Sequence, residues 1–195
     1  SVQSVPNFPS WVFRDENEAY RHELVKLAIK GRGIKVMVWA AISLEIKTPL
    51  IFMLRDEENK NHGYTARSYI SALEDGLLPI YQPGQPFQQD NAYIHISKMT
   101  KEWLEEHGIW VIDWPPCSPD LNPIEHVWSA LKDELDELYP KLHELRNNEA
   151  DKEILIARIK EAWDRIDQAK IRKLVASIPV RLDACRKAKG WYTGY

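Results

Sequence analysis

Cysteine is scarce in this chain, with only Cys117 and Cys185 among 195 residues. Two cysteines cannot build the disulfide framework of a small secreted domain, and no CxxC spacing offers zinc a thiolate pair. A reducing compartment, cytosol or nucleus, is the default. Long apolar runs are missing too. The stretches 36–42 and 50–54 fall far short of the roughly 20 residues that cross a bilayer, so no membrane partner is expected. Ser1-Val2-Gln3-Ser4 has no basic segment leading into an apolar one, so no secretory signal is expected there. Repeats and low-complexity tracts are absent. Nor is there an excess of positive charge: the net charge of −3 argues against attraction to nucleic acid by bulk charge alone.

What remains is an ordinary soluble composition, 44% hydrophobic and 28% charged, long enough for one domain with a full core. The charge is unevenly spread. Toward the C-terminus Lys170, Arg172, Lys173, Arg181, Arg186, Lys187 and Lys189 are opposed only by Asp183. Such a stripe either meets phosphates or is a solvated helix face, and composition leaves both open.

The first half reads as strands. Residues 11–14 form a short candidate, and 36–43 a stronger one, apolar throughout and therefore expected to be covered on both faces. A third runs over 49–54, with Lys47-Thr48 as the turn before it. Helical spacing follows over 64–78, carried by Tyr69, Ile70, Leu73, Leu77 and Leu78. Then Pro86-Phe87-Gln88-Gln89-Asp90 reads as a strand entering a loop. Residues 97–107 read as a helix with Met99, Trp103 and Leu104 apolar and Gly108 as its cap. Residues 109–114 alternate like a strand. A proline-rich loop precedes a long helix, and beyond a polar hinge at 146–150 helical spacing resumes through Ile154, Ile159, Trp163 and Ile166. This order predicts an α/β sandwich around a mixed sheet.

Two acids stand out by position. Asp90 closes a strand, so its side chain should project from the carboxyl end of the sheet, where α/β folds hold ligands. An Asp-Asn after a strand is also a common turn, in which the Asp bonds its own backbone. Glu125 is the third residue of a helix introduced by Asn122-Pro123, on the flank of a stripe of Ile124, Val127, Trp128, Leu131, Leu135 and Leu138. A capping box would use that same glutamate. Convergent carboxylates suit phosphoryl transfer on nucleic acid, because hard divalent ions need few protein oxygens and act on both the attacking and the leaving oxygen. Neither acid decides the matter alone.

Gln89-Asp90-Asn91-Ala92 with His95, then Trp114-Pro115-Pro116-Cys117-Ser118-Pro119-Asp120-Leu121-Asn122-Pro123-Ile124-Glu125-His126-Val127-Trp128 and Leu131-Lys132, closely resembles the catalytic motifs of mariner-superfamily (DDE-type) transposases. The 34 residues between Asp90 and Glu125 match the branch of that family ending in Glu. Val36-Met37-Val38-Trp39 resembles the family's third strand, and the C-terminal Lys189-Gly190-Trp191-Tyr192-Thr193-Gly194-Tyr195 resembles its natural terminus. Tyr93 stands where many members have proline, and Cys117 where many have tyrosine.

The resemblance implies an RNase H-like catalytic domain over 1–195 that performs cut-and-paste transposition. Asp90 would be the second and Glu125 the third catalytic, metal-binding acid, with Mg²⁺ as cofactor and Mn²⁺ able to substitute. It implies DNA as partner (transposon ends and target), a homodimer as assembly, and the nucleus as place of action. Asn91, His95 and Asn122 would orient the acids or touch DNA, and Lys187 and Lys189 would meet its backbone. The family's first acid, an Asp on the first strand, falls just upstream of Ser1-Val2 when residues 11–14 are aligned as the second strand. The order of motifs therefore leads us to expect a chain without its first strand and without the N-terminal DNA-binding region. The alternatives are a decayed or repurposed transposase serving as a silent DNA-binding or scaffolding protein, and Asp15 as stand-in metal ligand. An RNase H-like nuclease acting on RNA–DNA hybrids is a third reading, against which the proline motif counts. Trp110 and Trp114 could stack on bases, though core packing is the simpler role for both.

Overall fold

The computed structural model describes residues 2–3, 34–115 and 118–189. The strand expected over 11–14, together with Asp15 and Cys117, lies outside the described residues.

The expected strand over 36–43 is observed as β2 (Lys35–Val36) and β3 (Val38–Trp39), with β1 (Val2–Gln3) antiparallel to β2 and β4 (Ile51–Phe52) antiparallel to β3. Val38 faces Phe52 across the ladder and Trp39 faces Ile51. An antiparallel bridge between Ile42 and Lys47 extends the hairpin, and a parallel bridge joins Phe87 to Val111. Among the described residues the ladders form two separate two-stranded antiparallel pairs, and the parallel sense of the expected mixed sheet is present only as the Phe87–Val111 bridge. The strands over 86–90 and 109–114 are reduced to that single bridge, held by Phe87 N–H to the Trp110 carbonyl (2.8 Å) and Ile112 N–H to the Phe87 carbonyl (2.9 Å).

The hairpin turns earlier than expected. Ser43 N–H donates to the Ile46 carbonyl at 2.7 Å, and the Ser43 hydroxyl accepts from the amides of Glu45 and Ile46. A serine that satisfies two turn amides outcompetes Lys47-Thr48 for the bend. Thr48 instead belongs to the ladder, buried, with its N–H on the Ala41 carbonyl (3.0 Å) and its hydroxyl accepting from Ala41 N–H (2.9 Å).

Alternation along the strand feeds two cores, because successive side chains point to opposite faces. Val36, Val38, Ala40 and Ile42 meet one cluster with Leu50 and Phe52, while Trp39 and Ala41 meet the other with Ile51 and Met53. The strand is thus covered on both faces. The first cluster is completed by α4 (Pro123–Leu138), α5 (Glu149–Arg165) and α6 (Gln168–Ala176). The second is completed by α1 (Ala66–Gly76) and α3 (Lys98–Glu106), with short α2 (Tyr93–Ile96) before α3. The chain ends its described part in α7 (Ile178–Lys187). No helix among the described residues is long and apolar enough to cross a membrane.

Two helical phases differ from expectation. Met99 is 46% exposed, because Thr100, Trp103 and Leu104 take the buried face of α3. The buried Thr100 remains satisfied by donating to the Ile94 carbonyl at 2.6 Å. Likewise Ile154 is 40% exposed and Leu155 fills the core of α5. Lys47 closes that helix from across the fold, its Nζ donating to the carbonyls of Trp163 and Ile166, each at 2.7 Å.

At the end of α1, Gly76 lies directly against Trp39: a Cβ there would sit 2.3 Å from a ring carbon. Gly76→Ala should therefore overpack the second core and cost about 1–3 kcal/mol, despite alanine's better helix propensity. Urea unfolding checks this; a variant as stable as wild type would show that the indole can move aside.

Candidate active site

Asp90 follows the Phe87 bridge by three residues and is tied down locally. The Asn91 side-chain amide donates to the Trp114 carbonyl at 2.8 Å, locking this loop to the end of the neighbouring segment. Ala92 N–H donates to Asp90 Oδ1 at 3.0 Å, so the turn is made. His95 Nδ1 reaches the same oxygen at 2.6 Å. With the carboxylate ionised, Nδ1 carries the proton and donates. Both bonds fall on Oδ1, and no described residue bonds Oδ2; the side chain is 58% exposed. The turn and the ligand readings of Asp90 are therefore compatible, since the turn aims one oxygen outward.

Behind this loop stands Tyr69 of α1, almost wholly buried. Its ring lies 4.1 Å from that of His95, and its hydroxyl donates to Gln89 Oε1 at 2.7 Å. Gln89 Nε2 in turn donates to the His95 carbonyl at 3.3 Å. Sequence reading took Tyr69 only as an apolar-stripe residue. Nothing in its spacing announces the hydroxyl's partner.

Glu125 enters on a proline. Residues Pro119–Leu121 make a 3-10 turn, Asn122 caps α4, and Pro123 occupies the first helical position, where its missing N–H costs nothing. The capping box does not form. Asn122 N–H, which a Glu at the third position would have accepted, already donates to the Pro119 carbonyl at 3.0 Å. The Glu125 carboxylate has no hydrogen-bond partner among the described residues, and its backbone N–H alone meets the Asn122 carbonyl at 3.2 Å. Desolvation by the surrounding chain pushes its pKa above the ordinary glutamate range; the negative charge of Asp90 adds to this and Lys132 opposes it. Two acids distant in sequence thus lie near enough for the charge of Asp90 to disfavour ionisation of Glu125.

That strain gives a signed prediction. An acid whose folded pKa is raised destabilises the fold above that pKa, and the cost disappears below the unfolded value, near 4.3 for glutamate. In chelator, Glu125→Gln should melt higher than wild type at pH 7, and the two should converge as pH falls below about 4.3. Thermal melts across pH decide it, and a lower melting point for the variant at pH 7 contradicts the geometry.

Among the described residues no group of three Asp, Glu, His or Cys side chains converges as a metal site. Of the other candidates, Asn91 and His95 lie beside Asp90, and Asn122 is half-buried at the start of α4 without a side-chain cap bond. Lys187 pairs with Asp183 at 2.7 Å, and Lys189 is exposed just past α7 with φ of +53°. The C-terminal stripe is not continuous. Arg172 pairs with Glu45 at 2.7 Å, and Arg181, only 3% exposed, points inward and cannot contact phosphates. The helical register that spreads the other cations outward turns Arg181 toward the proline loop. Trp114 is buried, but Trp110 is 59% exposed and not a core residue, because Ile109 and Val111 on either side of it turn into the second core and alternation sends Trp110 outward.

The family described as DDE superfamily endonuclease matches residues 13–146. The transposable element Tc1 transposase of Caenorhabditis elegans is 31% identical over 186 residues, covering 95% of this chain and 64% of the relative. The Tcb2 transposase of Caenorhabditis briggsae is 34% identical over 171 residues, covering 86% and 57%. The chain thus spans less than two thirds of the length of these relatives. The Mos1 transposase catalytic domain solved with Raltegravir and Mn superposes with a TM-score of 0.60 at 20% identity, covering 81% of this chain and 77% of that one. The Mos1 strand transfer complex gives 0.63 at 16% identity, covering 94% and 50%. These likenesses establish the fold as the expected RNase H-like α/β sandwich.

Proposed function

Because this chain belongs to the DDE superfamily endonucleases, we propose that it is the catalytic core of a cut-and-paste DNA transposase, dependent on divalent metal. The observation that carries this reading is the placement of Asp90 near Glu125: among the described residues Asp90 Oδ2 has no hydrogen bond and the Glu125 carboxylate caps nothing, and the charge of Asp90 disfavours ionisation of Glu125. A cation relieves that repulsion, and hard carboxylate oxygens are what Mg²⁺ or Mn²⁺ takes. When bound, such ions stabilise charge on the attacking and leaving oxygens of a phosphodiester. The protein's own part is placement. His95 and Ala92 N–H fix Asp90, Asn91 fixes its loop, and α4 delivers Glu125. The third carboxylate comes from outside the described residues, either an upstream Asp or Asp15.

The substrate reading rests on kinship with proteins named as transposases. It entails transposon-end and target DNA as partners, a homodimer joining two ends, and action in the nucleus. Exposed Lys189 and Lys187, with Asn122 near the acids, are the groups we assign to DNA contact.

Crystals soaked in Mn²⁺ test the site, with anomalous density expected between Asp90 and Glu125. The identity of any third ligand would distinguish Asp15 from an upstream Asp. Two ordered side chains with no peak between them would overturn the catalytic reading and favour a silent DNA-binding protein.

A further inference from the structure

Arg181 is a charged side chain sealed inside the fold, and a buried guanidinium must satisfy its donors there. Its Nε donates to the Ser177 hydroxyl at 2.8 Å, at the start of its own helix. Its Nη1 leaves the helix altogether, donating to the Asp120 carbonyl and to His126 Nε2, each at 2.7 Å. Asp120 sits in the 3-10 turn before α4, against which α7 packs, and His126 directly follows Glu125. One planar group therefore grips the chain on both sides of the segment Asn122-Pro123-Ile124-Glu125. Among the described residues, the helix start in that segment has no side-chain cap and the Glu125 carboxylate has no hydrogen-bond partner to steady it.

We propose that Arg181 is a positioning residue for Glu125, acting through the Asp120 carbonyl and the His126 ring to set the direction in which the first turn of α4 presents its acid to Asp90. The inference rests on the metal-site reading above and deepens it. The clamp comes from a helix beyond residues 13–146, the stretch that matches the family, so the C-terminal helices contribute to the site as well as to the core. Lysine cannot replace it, because an ammonium does not reproduce a rigid fork that bonds in two directions at once. Groups that hold metal ligands in place typically contribute a factor of about 10–100 in metal affinity.

The test compares Arg181→Lys, His126→Phe, His126→Gln and Ser177→Ala with wild type in the full chain. Three quantities are read: the Mn²⁺ dissociation constant, amide hydrogen exchange over 119–126, and single-turnover DNA cleavage. Arg181→Lys and His126→Phe should exchange faster over 119–126 and bind Mn²⁺ about 10–100-fold more weakly. Their loss of activity should appear in kcat, with KM for DNA little changed. His126→Gln keeps an acceptor and should recover most of the affinity, and Ser177→Ala, on the far side of the guanidinium, should lose little. Folded Arg181→Lys and His126→Phe proteins with wild-type Mn²⁺ affinity would overturn the proposal. Should Arg181→Lys fail to fold, the contrast between His126→Phe and His126→Gln decides it, equal affinities sinking the clamp. If wild type itself takes up no Mn²⁺, the metal-site reading fails. Exchange then judges the clamp alone: unchanged rates over 119–126 reject it and faster rates retain it.

Discussion

Asp90→Asn in the full-length protein is expected to lower metal-dependent DNA cleavage by about a thousandfold or more, since a charged ligand at the reacting phosphate carries most of the electrostatic stabilisation. Asparagine is the informative substitution. Its carbonyl oxygen can still accept from Ala92 N–H and His95, so the turn seen at Asp90 survives, and only the charge and the outward oxygen's basicity are lost. Were Asp90 merely a turn residue, Asp90→Asn would cleave nearly as well as wild type and Asp90→Ala would be the damaging change. As a metal ligand, both should be equally inactive while still binding DNA. Single-turnover cleavage of a labelled end, beside DNA affinity measured in Ca²⁺, separates the two cases. Cleavage by Asp90→Asn close to the wild-type rate would remove Asp90 from the catalytic set.

The largest effect on stability is expected at Trp163. It is 1% exposed, stacks on Trp128 at 5.5 Å, and donates its indole N–H to the Thr48 carbonyl at 2.9 Å. Trp163→Ala should cost about 3–5 kcal/mol, the range for deleting a large aromatic from a core. The upper end is expected because the Thr48 carbonyl also loses its buried donor. That is a large fraction of the roughly 5–15 kcal/mol by which domains are usually stable. Trp163→Phe fills most of the space and should cost less, isolating the lost hydrogen bond. Denaturant unfolding monitored by circular dichroism reads both. A Trp163→Ala loss under about 1 kcal/mol would mean that the two helices and the hairpin do not depend on this contact.

Much of the site could be read from residue order. The motif around Asp90 and the proline entry to Glu125 are local, and their resemblance to the family's motifs brings the two acids forward as candidates without any fold. The start of α4 at Asn122-Pro123 was equally clear, because a proline at the first helical position acts on its own neighbours. The competing local roles of the two acids could be compared only in their surroundings. Asp90 makes its turn and still leaves one oxygen without a hydrogen bond among the described residues; Glu125 does not cap Asn122, whose amide already donates to the Pro119 carbonyl. The hairpin bend was misplaced for a similar reason, as the Ser43 hydroxyl holds two amides that a pattern of apolar residues does not reveal.

By itself, then, the sequence brought Asp90 and Glu125 forward as candidate acids through their resemblance to the family's motifs, and it placed most of the helical apolar positions and a strand covered on both faces, since those follow from spacing within a few residues. Tertiary structure alone decided that Arg181 faces inward rather than toward a phosphate. Its acceptors lie 61 and 55 positions away, at Asp120 and His126. A buried charge is tolerated only where such acceptors converge, and convergence is a property of the packed chain.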